Sequence, residues 1–289
     1  EALMKDHDET LKHIAEYEDI LCNRATMAKV IIKELERYKK EYAMPRKTAI
    51  ENAAEAVFEE KKIEEMDVVF LMDRFGYAKT IDVGAYERNK EAADTENRYI
   101  LRCKNTDKIC IFTDRGQMHL LKVLDLPYGK FRDKGTPIDN LSNYNSSEEN
   151  LVYIAPMADI RQKKLLFGTK TAMLKLVSGA EFDVAKRTTA ATKLNEGDMV
   201  LFVHPVAESD HIVMQSAKDM FLRIEAGTIP EKKKGAVGVR GMRLASGDQL
   251  EAIYLLREED EPVSVRIKDK EVVLNRLHVA NRDTKGVKR

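Results

Sequence analysis

The chain has 289 residues, 43% of them hydrophobic and 34% charged, and its 49 Lys+Arg balance 49 Asp+Glu to a formal net charge of zero. Such a length and apolar content predict a globular chain with a sizeable core in one or two domains. No apolar run approaches the roughly 20 residues that span a bilayer, and the start, EALMKDHDET, lacks the basic and apolar parts of a signal peptide. A cytoplasmic protein without a membrane partner is expected. Glu1, inside a pattern that is already helical, is read as the start of a piece cut from a longer protein.

Zero net charge argues against a polyanion partner only until it is divided by region. Residues 1–65 hold 12 Lys+Arg and 16 Asp+Glu, which leaves the remainder at +4. Cys22, Cys103 and Cys110 form no CxxC pair, so neither a zinc site nor a disulfide framework is indicated and buried, reduced thiols are expected.

The first 44 residues are helical by period. Leu3, Leu11, Ile14, Tyr17, Leu21, Met27, Ile31, Leu35, Tyr38 and Tyr42 recur mostly at three- and four-residue steps between charged residues, which predicts an amphipathic or coiled-coil segment over 1–44. Asn23 is the candidate cap between two helices, and Pro45 ends the second. Residues 45–65 are charged and Ala-rich without a strong stripe, and are assigned to a linker.

At Met66 the period changes, and 66–289 is assigned to one β domain. Short runs of Val, Ile, Phe, Leu and Thr are bounded by Gly, Asp, Asn and Lys, as strands require. One cassette recurs five times: an apolar run, a turn, a second run with basic residues, then a basic loop. Turn anchors at Gly76, Gly116, Ala172, Asp219 and Lys270 stand 40, 56, 47 and 51 residues apart. Periods near 40 to 50 residues predict about five propeller-like blades. The Ser/Asn-rich stretch 140–150 reads as a surface loop.

The loops after the second runs read GKFRDKGTPI, AKRTTAATKL, EKKKGAVGVRGMRL and NRDTKGVKR, and three contain Lys-Gly: Lys134-Gly135, Lys234-Gly235 and Lys285-Gly286. Glycine permits close backbone approach to a phosphate, while Lys and Arg supply charge. Equivalent loops on successive blades would form a basic stripe, suited to a bent polyanion bound through its phosphates. Any single lysine is more often a solvated surface residue; repetition favours phosphate contact for the set. The candidates are Lys130, Arg132, Lys134, Lys186, Arg187, Lys232, Lys233, Lys234, Arg240, Arg243, Arg282 and Lys285. Gly235, Gly238 and Gly241 fit neither GxGxxG nor a Walker loop and are assigned to a tight turn between blades. The six histidines show no HExxH spacing and no serine sits in a GxSxG elbow, so no catalytic or metal residue is assigned. His119 and His211 read as structural histidines in strands, and the acidic run 258–261 as a solvated loop.

VVFLMDRFGYAKTIDVGAY, DKICIFTDRGQMHLLKVLDLPYGKFRDKGTPIDNL and above all KKKGAVGVRGMRL resemble the C-terminal DNA-wrapping domain of bacterial type IIA topoisomerase A subunits, the family of gyrase and topoisomerase IV. Residues 20–50 look like the end of the coiled-coil arm of the same polypeptide. The resemblance implies a mainly β fold, a β-pinwheel preceded by an α-helical coiled-coil segment, with duplex DNA bent around a basic perimeter. It also implies two protein partners, the ATPase B subunit together with the rest of the A subunit, in a nucleoid-associated parent isomerase. This fragment itself is expected to hold no cofactor; ATP and Mg would be used by other regions. Gyrases carry a Q-(R/K)-R-G-G-(R/K)-G box in the first blade, and the stretch here, 85–96, reads AYERNKEAADTE. The missing box, with five cassettes rather than six, looks like topoisomerase IV, a relaxing and decatenating enzyme. The alternatives are a supercoiling gyrase with a degenerate box and, from another class, a propeller-type protein-interaction scaffold.

Overall fold

A helix needs its polar backbone groups answered at each end, and a single Asn does this at the middle of the N-terminal segment. In the computed structural model, which describes residues 1–48 and 63–289, the chain divides into two units, Glu1–Lys61 and Lys62–Arg289. The first contains α1 (Ala2–Cys22) and α2 (Arg24–Tyr42), separated by the extended Asn23, whose side chain accepts a hydrogen bond from Ala25 N at 3.0 Å. This is the break and the cap expected from sequence. Neither helix buries a residue, so the apolar stripe from Leu3 to Tyr42 lies exposed and is not paired within the described residues. Cys22 is exposed, contrary to expectation, because it sits on these unpartnered helices; Cys110 is buried and Cys103 half-buried. Of the expected linker, residues 49–62 lie outside the described residues.

The second unit is built from apolar hairpins whose two faces are both covered. Blade 1 comprises β1 (Asp67–Asp73), β2 (Tyr77–Asp82) and β3 (Asn97–Lys104), with β6 (Tyr128–Gly129) and β7 (Thr136–Pro137) added to β2 from the next cassette. Blade 2 comprises β4 (Lys108–Thr113), β5 (Gln117–Lys122) and β8 (Leu151–Pro156), closed by β11 (Thr188–Ala190). Blade 3 comprises β9 (Lys164–Thr169), β10 (Met173–Ser178) and β12 (Val200–Val206), closed by β15 (Val239–Arg240). Blade 4 comprises β13 (His211–Ser216), β14 (Met220–Glu225) and β16 (Leu250–Leu256), closed by β19 (Val287–Lys288). Each blade therefore receives its last strand from the following cassette, which is the pinwheel arrangement.

The fifth cassette differs from the expectation of a full blade. It forms only the two-stranded hairpin β17 (Ser264–Ile267) and β18 (Lys270–Val273), with its left-handed turn residue at Lys268 (φ 53°) and Lys270 already in the strand. The other four anchors are the left-handed turn residues, with φ of 85° at Gly76, 73° at Gly116, 64° at Ala172 and 60° at Asp219. A bulge also recurs three residues before each, at Asp73, Thr113 and Ser216 and, on the partner strand opposite Thr169, between Val200 and Phe202.

Alternating side chains fill the spaces between blades. Phe70 and Ile111 join blades 1 and 2, Phe112 and Phe167 join 2 and 3, Leu174 and Met214 join 3 and 4, and Phe221 joins blade 4 to Ile267 and Leu274 of the hairpin. Burial on both faces explains why the runs are continuously apolar rather than alternating. On its other side blade 1 packs Val69, Leu71 and Ile81 against Tyr86 and Ala93 of two short helices, α3 (Val83–Arg88) and α4 (Lys90–Glu96). The strands β3, β8, β12 and β16 contact one another in succession, so they form one edge of the stack. The exchanged strands and their loops form the opposite rim.

Candidate nucleic-acid interface

On blades 1, 3 and 4 the basic loop is the stretch between two attachments to one strand. The chain leaves its own hairpin through a single 3-10 turn, runs parallel to the preceding blade's second strand, loops out, and returns antiparallel to the same strand. On blade 1 the two attachments are Thr80↔Tyr128 and Ala78↔Thr136; on blade 3, Leu176↔Glu231 and Leu174↔Val239; on blade 4, Arg223↔Val279 and Phe221↔Val287. On blade 2 the contacts are adjacent, Leu120 N bonding Arg187 O and Thr188 pairing with His119, so no loop intervenes and Lys186 and Arg187 lead directly into the strand.

Glycine occupies the return crossing on blades 1, 3 and 4, whereas Thr188 holds that place on blade 2. A Cβ on Gly135 would lie 2.6 Å from Ala78 O, on Gly238 2.6 Å from Leu174 O, and on Gly286 2.6 Å from Phe221 O. These three glycines are equivalent, each over the second residue after the turn anchor. The glycine of Lys-Gly therefore serves close approach to the neighbouring blade, not to a phosphate. Lys234-Gly235 is not the counterpart of the other two pairs: a Cβ on Gly235 meets nothing within 4 Å. Gly238 and Gly241 are packed crossings rather than parts of a tight turn, Gly241 lying against Leu174 and Met214.

In loop 130–135, Lys130 N donates to Asp133 Oδ2 at 2.7 Å and Asp133 N to Lys130 O at 3.0 Å, closing a turn. Lys130, Arg132 and Lys134 are exposed on it, and the Lys134 ammonium lies 4.8 Å from the Tyr77 ring centroid. Lys186 and Arg187 are exposed on blade 2, beyond Asp183, which pairs with Arg161 at 2.6 Å and Lys108 at 3.3 Å. In loop 231–238, Lys233 is 88% exposed and reaches Glu181 at 3.5 Å. Lys234 donates through N and Nζ to Glu181 Oε2 and O, both at 2.9 Å, and Lys232 Nζ reaches Val237 O at 3.5 Å. Arg240, Arg243 and Arg282 come together: the first two pair with Asp283 at 3.5 and 3.7 Å, and Arg282 donates to Arg240 O at 3.0 Å. Lys285 is exposed beside them.

Two further cations lie beneath these loops and were not among the sequence candidates. Lys79 of β2 donates to Phe131 O and to Asp133 O, and burial lowers its pKa against the opposing charge of Asp133. Lys175 of β10 is 1% exposed and donates to carbonyls of loop 231–238; burial lowers its pKa to about 8, with Glu181 opposing. Both stand three residues after a turn anchor, the one signal that linked them in the sequence. His119 holds that place in blade 2, where it bonds Thr188 Oγ1 at 3.0 Å and lies 2.8 Å from Glu149. It is the structural histidine expected. The 140–150 loop is more anchored than expected, with Tyr144 buried and stacked edge-on to His119. Among the described residues no group of three or more His, Cys, Asp or Glu could hold a metal ion, and no helix is long and apolar enough to cross a membrane.

A family profile described as the DNA gyrase C-terminal domain, beta-propeller, matches residues 163–207 and 210–257, which hold the three long strands of blade 3 and of blade 4. The DNA gyrase A protein of Lawsonia intracellularis is 28% identical over 308 aligned residues, covering 99% of this chain. The chain spans about a third of that relative's length, 37%. Among solved structures, the C-terminal domain of a DNA topoisomerase IV superposes with a TM-score of 0.70 at 22% identity, covering 78% of this chain and 73% of that one. A DNA gyrase A C-terminal domain superposes with a TM-score of 0.52 at 16% identity, over 77% and 76%. The exchanged-strand blades, the matched repeat and a relative aligned along almost the whole chain agree on one likeness: the chain is similar to the C-terminal domains of type IIA topoisomerase A subunits.

Proposed function

We propose that this chain binds duplex DNA without sequence preference and bends it along the rim, as the C-terminal part of an ATP-dependent topoisomerase A subunit in the bacterial cytoplasm. One observation carries the reading: exposed basic residues of the exchanged segment recur at the rim on each of four successive blades. A row of cations with repeated spacing matches a phosphate backbone, and no base-reading side chain is needed. Lys130, Arg132, Lys134, Lys186, Arg187, Lys233, Arg240, Arg243 and Lys285, all exposed, meet phosphates directly. Lys232, Lys234 and Arg282, partly buried, shape the loops that carry them. Strand cleavage and the chemistry of ATP and Mg come from the ATPase B subunit together with the remainder of the A subunit.

Titration of a labelled duplex at two salt concentrations tests this. Contact with 6–10 phosphates predicts a loss of roughly 10³–10⁵ in affinity between 50 and 200 mM salt, similar for unrelated sequences. Joint reversal of Lys232, Lys233 and Lys234 to Glu should weaken binding sharply. Salt-insensitive binding, or binding untouched by the reversal, would leave a protein-interaction scaffold as the better reading.

Among these subunits, the topoisomerase IV reading is supported by the stretch 85–96. Where gyrases carry a Gly-rich basic box, this chain has parts of α3 and α4, whose Tyr86 and Ala93 are buried against blade 1. The gyrase reading rests on the name of the sequence relative. An assay of the complete enzyme separates them: decatenation without negative supercoiling supports the first, and ATP-dependent supercoiling the second.

A further inference from the structure

Lys175 is costly where it stands. Its ammonium is removed from water, and no carboxylate lies within ion-pairing distance among the described residues. Blade 4 carries Leu222 at the same offset from its turn anchor and still folds as a four-stranded blade. The fold thus has no need of a lysine at this position, and an apolar residue would avoid the desolvation.

What the lysine does is gather carbonyls. Nζ lies 2.7 Å from Lys234 O, 2.9 Å from Ala236 O, 3.3 Å from Lys233 O and 3.5 Å from Ala191 O. An ammonium has three protons to donate, so this is a saturated set. Exposed loops ordinarily turn carbonyls to water, and an outward carbonyl dipole repels a phosphate. Here three carbonyls of one basic loop point inward at a buried cation. In blade 1, Lys79 repeats the device on Phe131 O and Asp133 O of loop 130–135.

Resting on the reading of the rim as a duplex-binding surface, we propose that Lys175 and Lys79 are positioning residues: each clamps the following cassette's basic loop by its carbonyls, so that the loop offers phosphates its cationic side chains and N–H groups. Neither lysine touches the DNA. The segment on blade 2 and the loop on blade 4, over His119 and Leu222, lack the clamp.

The test compares Lys175→Met and Lys175→Arg in the whole chain. Met removes the charge; Arg keeps it, but its planar fork does not fit a cage built around one ammonium. Both variants should lose duplex affinity about ten-fold at fixed salt, or about 1.4 kcal/mol. Both should also speed exchange of the Lys232 and Ala236 amides, which bond Leu176 O and Lys233 O. Wild-type affinity in Lys175→Arg would show that only charge matters and overturn the proposal. Unchanged amide exchange in both variants would overturn the clamp itself. A wild-type chain that binds no duplex would remove the DNA reading and the positioning role, while the exchange data still decide the clamp. If the Lys175 variants fail to fold, Lys79→Met makes the same test on loop 130–135.

Discussion

Gly238→Ala probes the strand exchange most directly. The added Cβ would lie 2.6, 2.8 and 2.9 Å from the O, C and N of Leu174. All three are backbone atoms, and β10 is held on its other side by five registered pairs with β9. The part that must give is β15, whose two pairs are Met173↔Arg240 and Leu174↔Val239, with the adjoining Gly241 N to Ala172 O bond of 2.7 Å. Overpacking against an unyielding neighbour costs about 1–3 kcal/mol, and each lost hydrogen bond about 1. We expect a loss of about 2–3 kcal/mol. At a urea dependence near 2–3 kcal/mol per M this lowers the unfolding midpoint by about 1 M. Gly235→Ala, three residues away, is the control. With open space around it and no left-handed φ, it should be neutral or stabilise by up to about 1 kcal/mol. Gly286→Ala should cost more than Gly238→Ala, since it adds left-handed strain at φ 72° to the same contact with Phe221 O. Equal midpoints for Gly238→Ala and Gly235→Ala would refute the close-crossing argument.

Two other outcomes follow from local structure. Asn23→Ala removes the acceptor of Ala25 N and should cost α2 about 1 kcal/mol, seen as faster amide exchange in its first turn with the sheet amides unchanged; unaltered exchange would deny the cap. Lys175 gives stability a pH dependence. Its pKa falls from 10.5 to about 8 on folding, so between those values the unfolded chain holds more protons and stability rises with pH. Below about 8 both states are protonated and the burial penalty, about 3 kcal/mol, is constant. Urea midpoints from pH 7.5 to 10.5 should climb in the wild type and flatten in Lys175→Met; parallel curves would refute this.

The cassette was legible because turns and hairpins are local. Gly76, Gly116, Ala172 and Asp219 could be picked as anchors since each sits between two apolar runs, and all four adopt the left-handed conformation that such a turn needs. The helix break was legible for the same reason, Asn23 capping a residue two places away. The fifth cassette misled because a blade is not contained in its own cassette. Its hairpin has the right pattern, but outer strands are delivered from elsewhere in the chain, in pieces as short as Val239–Arg240 that carry no period. The glycines misled in a related way. Lys-Gly recurs in three loops, yet the equivalent crossing residues are Gly135, Gly238 and Gly286, and only the partner backbone, some 60 residues away, shows which glycine is pressed. Lys175 in MLKLVS reads as a strand residue, and nothing nearby announces carbonyls at 233, 234 and 236.

Strand exchange makes the proposed binding surface and the blade-to-blade joint one structural element. On blades 1, 3 and 4 the basic loop is fixed at both ends to a single strand of the preceding blade, so it can move little while it presents its charges. A surface fixed in this way has less conformational freedom to lose on meeting a phosphate backbone, which favours binding without adding a contact. The same attachment sets where the domain is weakest. The last hairpin is held to blade 4 by the small cluster around Leu274 and by loop 280–286, which has Leu222 beneath it in place of a clamping lysine. That loop is instead ordered by Asp283, whose N bonds Gly241 O at 2.7 Å while its carboxylate faces Arg240 and Arg243. Phosphates drawn to those arginines would compete with Asp283 for them. On blades 1 and 3 Lys79 and Lys175 hold their loops from below, and on blade 3 a phosphate drawn to Lys233 would compete with Glu181 alone.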